Sequence, residues 1–349
     1  MPDKEDRLIQ EEGEWMYVMS RYMLIAAMFA SMLATVVDLC AAGNKASGKG
    51  VWIARQGDNT IRVEINGKLF TQYHYKTVDR PFFYPVIGPT GVNMTRHWPM
   101  SDSNKDEQTD HAHHRSLWFV HGDVNGYDFW TEGKGHRVEH QEFKEVKSSG
   151  DSGVVTSSSL WVADAAGDKR KVVCSDTRTH RFYAAENARM MDIEITIHAS
   201  HGKIVLGDTK EGCMAVRVAP TMRLKGKVGK GHLVNSEGVR DNSAWGKRAA
   251  WCDYYGPIDG KTVGVAIFDH PKNPRHPTWW HARNYGLMTA NPFGIHYFEK
   301  NPDRSAGDMG IPDGESLTWR YRIYIHEGDE KQGRVAEAYE KFAGTGARK

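Results

Sequence analysis

Alternation of apolar and polar positions recurs along most of the chain. Ile61 to Ile65 (IRVEI) alternates, Asn66-Gly67 supplies a two-residue turn, and Lys68 to Tyr75 (KLFTQYHY) returns, which predicts a β-hairpin. The same period of two runs through Val154 to Val162, Met191 to His198 and Leu317 to Ile325. In the last of these Leu317, Trp319, Tyr321, Ile323 and Ile325 fall on one face. Only Gly333 to Ala343 carries helical spacing, with Val335, Ala338, Tyr339 and Phe342 on one side, and it is expected to cap the sheets. Between the strands lie turn-rich loops such as Gly88 to Gly91, Ser101 to Asp110 and Asn301 to Gly310. With no internal repeat and no Pro/Ser-rich linker after Ser47, one antiparallel domain of two large packed sheets is expected over residues 43–349.

The first 42 residues break this pattern. Met23 to Val37 is an unbroken run of 15 apolar or small residues, with Arg21 before it and Asp38-Leu39-Cys40-Ala41-Ala42-Gly43 after it. That order of charge, apolar stretch and small-residue site reads as a cleavable export signal, and the run falls short of the roughly 20 residues of a membrane-spanning helix. Residues 1 to 18 hold six acidic side chains against Lys4 and Arg7, the wrong balance for a signal's positive lead, so the reading takes residues 1–42 as an over-long start plus signal, with Met19 as the true start. Cys40 raises lipid attachment as an alternative, which Asp38 and Leu39 disfavour as neighbours. A periplasmic or secreted protein with no stable membrane span in its mature form is the expectation.

Without residues 1–42, the 46 basic and 44 acidic residues become 43 and 37. This mildly basic excess is diffuse, and no basic run is interleaved with aromatics, so nucleic acid is not an expected partner. Cys174, Cys213 and Cys252 allow at most one internal disulfide, so cysteines do not frame the fold. The 11 Trp, 14 Tyr and 12 Phe can fill a large core, while 35 Gly supply turns.

Three segments concentrate polar and aromatic side chains. In His111-Ala112-His113-His114-Arg115-Ser116-Leu117-Trp118-Phe119-Val120-His121, read as a strand, His111, His113, Arg115 and His121 share one face and His114 points away with Trp118. His-x-His on a strand face is a chelating pattern, which makes His111 and His113 candidate metal ligands and a divalent ion a candidate cofactor. The loop that follows, Asp123 to Asp128, lacks the full oxygen-ligand spacing of a calcium loop and reads as a polar turn that aims Asp128 and Trp130, with Asn125 beside them. The second segment, Gly207-Asp208-Thr209-Lys210-Glu211-Gly212, sets two carboxylates and an amine together, a composition suited to general acid–base work. The third, His276 to Gly286, holds Trp279, Trp280, His281 and Arg283, followed by Asn291-Pro292-Phe293-Gly294; aromatic faces beside Arg and Asn suit a sugar ring. Gly150-Asp151-Ser152-Gly153 copies a serine-protease turn without its partners, and no phosphate loop or dinucleotide fingerprint is present.

The strings His113 to Phe119, His121 to Gly126, Gly207 to Gly212, Asp269-His270-Pro271, Asn273 to Thr278 and Ala290 to Gly294 together resemble a bacterial family of unknown function that carries the inherited label "methane oxygenase PmoA". The resemblance spans nearly the whole mature chain. It departs at Ala112, where proline is expected between the histidines. The label does not suit a chain without several apolar spans. The resemblance implies an exported protein from the neighbourhood of sugar-catabolic genes, with no settled reaction. The fold expectation is an all-β, large antiparallel β-sandwich of the supersandwich, galactose-mutarotase-like type with one C-terminal helix.

The expected function is a carbohydrate-active enzyme that cleaves a glycosidic bond by hydrolysis or β-elimination, with an oligosaccharide or glycoside as partner. His113, His114, Asp208, Lys210, Glu211 and His281 are the candidate catalytic residues. Arg115, His121, Asn125, Asp128, Trp130, Trp280, Arg283 and Asn291 are the candidate sugar contacts. A non-catalytic glycan-binding protein and a metal-dependent oxidoreductase are the alternatives.

Overall fold

The computed structural model of the protein describes residues 48–165 and 169–344, so the export-signal reading of residues 1–42 lies outside the described residues. Two large antiparallel sheets face each other. The first has nine strands in the spatial order Val51–Gln56, Thr60–Ile65, Lys68–His74, Phe82–Val86, Leu117–His121, Gly212–Arg217, Leu287–Asn291, Thr278–Trp280 and Arg248–Ala249. The second has eight: His232–Asn235, Trp251–Ile258, Lys261–Asp269, Ser316–Glu327, Ala188–His198, Lys169–Tyr183, Ser152–Ala165 and His136–Ser149. The fold is thus an all-β antiparallel sandwich.

The alternating segments are strands with the expected faces. The predicted hairpin pairs Ile65 with Lys68, and both Asn66 (φ 52°) and Gly67 (φ 72°) adopt the left-handed backbone of a two-residue turn, which asparagine and glycine tolerate best. Trp319, Tyr321, Ile323 and Ile325 all point into the core. The layers interlock through aromatic contacts such as Phe119 with Tyr321 (ring centroids 6.4 Å), Phe83 with Phe182 (6.3 Å) and Phe293 with Trp319 (5.9 Å). Cys174, Cys213 and Cys252 are buried free thiols.

The interlayer space also holds a polar knot. Asp176 and Arg178, on one inward face of the strand Lys169–Tyr183, form a buried ion pair at 2.7 Å. Trp161 Nε1 donates to Asp176 at 2.8 Å, and Arg178 Nη1 donates to the carbonyl of Phe119 in the opposite sheet at 3.3 Å.

The predicted helix runs Val335–Ala343, starting two residues later than its periodicity suggests, after Arg334 in a left-handed conformation (φ 51°). It covers the outer face of the eight-stranded sheet, where Phe268 meets Tyr339 and Phe342. Among the described residues no helix is long and apolar enough to cross a membrane.

Candidate functional site

On the outer face of the nine-stranded sheet, one row of directly opposed residues crosses five strands. His74 stands opposite Phe82, Phe82 opposite Trp118, Trp118 opposite Ala215, and Ala215 opposite Thr289. His281 extends the row, since its backbone exchanges hydrogen bonds with Thr289 at 3.0 and 3.3 Å. The side chains on the other face of the same strands, Phe83, Leu117 and Phe119, enter the core.

Over Trp118 the loop that precedes its strand folds back. It is not the strand expected from the sequence: regular pairing begins at Leu117, and His111 (φ 45°) and Ser116 (φ 57°) take left-handed backbone that breaks alternation. His111 and His114 therefore stack, with His113 edge-on to both, in place of a chelating face. His114 lies flat on Trp118 (5.5 Å, 22°), His111 on His114 (4.7 Å, 8°), and Tyr285 on His111 (5.5 Å, 10°). His113 stands edge-on to His114 at 4.6 Å, and Trp130 meets His114 at 5.7 Å. The first and third segments of the sequence, far apart along the chain, thus meet at His111 and Tyr285. Among the described residues no group of three or more His, Cys, Asp or Glu is placed to hold a metal ion, so His111 and His113 gather no third ligand.

Buried arginines hold this arrangement by its backbone. Arg80 donates to the carbonyls of Trp130 (2.7 Å) and His113 and lies 5.6 Å over Trp118. Arg96 donates to the carbonyls of Gln108 (2.8 Å), Asp110 (2.9 Å) and His111 (3.4 Å). Arg217 pairs with Asp110 at 2.9 Å, covers the ring of Tyr285 at 4.5 Å and reaches His114. Glu132 receives Arg115 in a forked pair (2.7 and 2.8 Å) and also faces Arg80 at 3.4 Å. None of Arg80, Arg96, Arg217 and Glu132 was singled out from the sequence. The available signal was Arg217 standing in an otherwise apolar strand, GCMAVR.

Burial and this positive surround keep the imidazoles of His113 and His114 neutral. Desolvation, then Arg80 and His111, lower His113 to about 4, and desolvation with Arg217 holds His114 well below the usual histidine range. Among the described residues the ring nitrogens of half-buried His113 make no hydrogen bond, which leaves a free base at the surface of the stack. Desolvation raises the Tyr285 hydroxyl, so it stays protonated; Arg217, Arg283 and Glu211 all lie within electrostatic reach of it.

The other expected site residues divide into two groups. Arg283 is half-buried and lies 5.7 Å over Tyr285. His281 is buried, accepts from Trp245 Nε1 at 3.0 Å, and is lowered to about 3 by desolvation, Arg283 and Lys210. Lys210 and Glu211 form a partly exposed pair at 3.4 Å. These belong to the rim of the same face.

The rest brace the scaffold. Trp280 is turned into the core, where its indole donates to Ala249 at 2.9 Å, because its strand partner Ala290 is an inward position. His121 is likewise inward and donates to the Gly207 carbonyl at 2.8 Å. Gly212 lies so close that a Cβ there would meet His121 Nδ1 at 2.6 Å. Asp208 accepts the backbone N–H groups of His296 (2.8 Å) and Gly307 (2.7 Å) and so ties down another loop. Asn291 caps Phe293 and Gly294 through their N–H groups at 2.8 and 3.2 Å, and Asn125 spans Lys203 and Val205. Asp128 accepts the N–H groups of Trp130 (2.8 Å) and Thr131 (3.0 Å), the aiming turn expected of it.

Residues 60–340 match the profile of a family of unknown function, DUF6807. The chain belongs to this family. The match carries no methane-oxygenase label, and a comparison with curated proteins finds no match for this DUF6807 member. Solved structures similar to it include an α-galactosidase from Lactobacillus brevis, 10% identical, over 84% of this chain and 42% of that one, with a TM-score of 0.41. Another is a galactose mutarotase-like protein from Clostridium acetobutylicum, 9% identical, over 80% and 99% of the two chains, with a TM-score of 0.36. A family 97 glycoside hydrolase from Pseudoalteromonas sp. strain K8, solved with panose, is 11% identical over 81% and 35%, with a TM-score of 0.30. The DUF6807 chain spans less than half the length of the α-galactosidase and of the family 97 enzyme. At TM-scores of this size the functional reading rests on the chain's own side chains.

Proposed function

We propose that this DUF6807 protein is an exported carbohydrate-active enzyme that cleaves a glycosidic bond by β-elimination on the outer face of its nine-stranded sheet. The observation that carries the reading is the neutral, unengaged His113 and the protonated Tyr285, each in ring contact with both His111 and His114. Hydrolysis needs two carboxylates flanking the bond, and the two expected for it have different duties: Asp208 uses its Oδ2 to hold two backbone N–H groups and its Oδ1 is buried, while Glu211 is the solvent-reaching member. Elimination needs a base, an acid and a C–H acidified by a neighbouring carbonyl or carboxyl group. His113 takes that proton, the electron pair forms a C=C bond, the glycosidic C–O bond breaks, and the leaving oxygen receives a proton from Tyr285. Exposed His111 and partly exposed Tyr285 give a sugar ring an aromatic contact surface. Export is supported by the residue order at 21–43.

The test is incubation of purified protein with neutral, uronic and keto-glycosides, following both unsaturated products by ultraviolet absorbance and new reducing ends. Unsaturated product that disappears in His113→Gln and Tyr285→Phe supports elimination. Saturated reducing ends alone would replace it with hydrolysis, and tight glycan binding without turnover would make the protein a binding module.

A further inference from the structure

One guanidinium sets the proton positions of two stacked imidazoles. Arg217 Nη1 donates to His114 Nδ1 at 2.9 Å, and its Nη2 donates to the Asp110 carboxylate at 2.9 and 3.2 Å. Asp110 Oδ2 in turn lies 2.9 Å from Nδ1 of His111, whose ring stacks on His114 at 4.7 Å and 8°. A guanidinium only donates and an ionised carboxylate only accepts, so the rings take opposite tautomers: Nδ1 is the acceptor in His114 and the donor in His111. In a neutral His111 ring the lone pair is therefore on Nε2.

Asp110 is kept ionised by its surroundings. Burial opposes its charge, but Arg217, the His111 hydrogen bond and Arg96, 3.6 Å from Oδ1, together hold the carboxyl below its usual range. Arg96 also fixes the backbone here through the carbonyls of Asp110 and His111. His111 differs from His114 in access. Its side chain is 44% exposed, whereas His114 is buried, and among the described residues His111 Nε2 makes no hydrogen bond. An imidazole oriented by a carboxylate, with its second nitrogen free and accessible, is the arrangement of a general base held by a positioning residue.

We infer that His111, oriented by Asp110, is a second base of the site and receives at Nε2 the proton that His113 draws from carbon. This rests on the proposed elimination and adds the step that follows it. His113 stands edge-on to His111 at 5.7 Å. Burial and Arg80 disfavour a proton on His113, whereas Asp110 favours one on His111. The new N–H bond of His113 breaks, one forms at His111 Nε2, and Asp110 balances the charge gained. The exposed ring then gives the proton to solvent, and no electrons are exchanged in either step.

Long-range proton–nitrogen NMR on the full protein, carrying isotope-labelled histidine, reads both tautomers, with His111→Phe to assign the ring while keeping the stack. His111 is expected as the Nδ1–H form and His114 as the Nε2–H form. In Asp110→Asn the amide oxygen is drawn to the arginines at Oδ1 and the amine turns to His111, so the His111 tautomer is expected to invert. For whichever of the neutral, uronic and keto-glycosides is cleaved, His111→Phe is expected to lower kcat about tenfold or more with KM little changed, and added imidazole to restore part of it, which a purely structural ring would not allow. An Nε2–H form at His111 in the native protein, or native turnover in folded His111→Phe, would each overturn the inference. Cleavage lost in His113→Gln but kept in His111→Phe leaves the elimination reading standing without this step. If no glycoside is cleaved, the elimination reading falls, and the tautomer alone decides whether His111 is the free base of the site.

Discussion

Arg217 Nη1 lies 2.9 Å from His114 Nδ1, and because a guanidinium cannot accept, the imidazole is fixed as the acceptor in this contact. His114 is therefore a hydrogen-bond donor to whatever lies at its Nε2 and is unsuited to take a proton there. His114→Phe retains a flat ring on Trp118 while deleting both nitrogens. It is expected to abolish sugar binding at a stability cost of about 1–3 kcal/mol for the Arg217 Nη1 donor left without its acceptor, read by urea denaturation beside calorimetry. Unchanged binding in a folded variant would remove His114 from the site.

Glu132 serves two arginines at once, Arg115 and Arg80, and only the second is fully buried. Glu132→Ala is expected to destabilise by about 3–5 kcal/mol, more than Arg115→Ala, because it strands Arg80 beneath the loop. Equal effects of the two substitutions in denaturant titrations would contradict this.

Asp176 neutralises Arg178 between the sheets. Asp176→Ala leaves a buried cation without its counter-charge and frees the Trp161 indole, with an expected loss of about 3–5 kcal/mol. Loss of the aromatic circular dichroism signal on mild heating would accompany it.

Asp208 and Glu211 separate structure from chemistry. Asp208→Asn is expected to expose the loop at 294–308 to limited proteolysis, while Glu211→Gln leaves proteolysis unchanged and alters sugar turnover or binding. Proteolytic sensitivity in both, or in neither, would refute the division.

Acid should unfold the protein early. Burial lowers His121 to about 4, and His180 and His281 to about 3, from an ordinary 6.5. The unfolded chain then binds more protons below that ordinary value, so stability present above pH 6.5 drains away as pH falls toward 4 and 3, by on the order of 3 kcal/mol per histidine. His326, raised by its Asp253 partner against the effect of burial, runs oppositely and loses its contribution as pH rises. A denaturation midpoint that is flat between pH 7 and 4 would contradict the scheme.

Strands were legible because a sheet with one wet face writes its period into the sequence, as at Leu317 to Ile325 and Ile61 to Ile65. The end of that legibility is equally physical. His111 to Ser116 alternates too, but two left-handed residues turn it into a loop, and nothing in residue type separates His111 in that backbone from His111 in a strand. Trp280 could be ranked as core or ligand only once Ala290 fixed its face. Arg80 and Arg96 were unreadable as site residues because their work is done on carbonyls, groups that every residue carries alike. The convergence of His111 with Tyr285 depends on long-range strand pairing that no local pattern encodes.

Ala112 stands where the family resemblance leads one to expect proline, a ring that would stiffen the bend between the histidines. Its neighbours are fastened on both sides: Arg96 grips the carbonyl of His111 and Arg80 that of His113. Two external rivets thus do the work of an internal splint. The bend is held from both sides without a proline between the histidines, and loosening either rivet should matter more to this protein than introducing that ring.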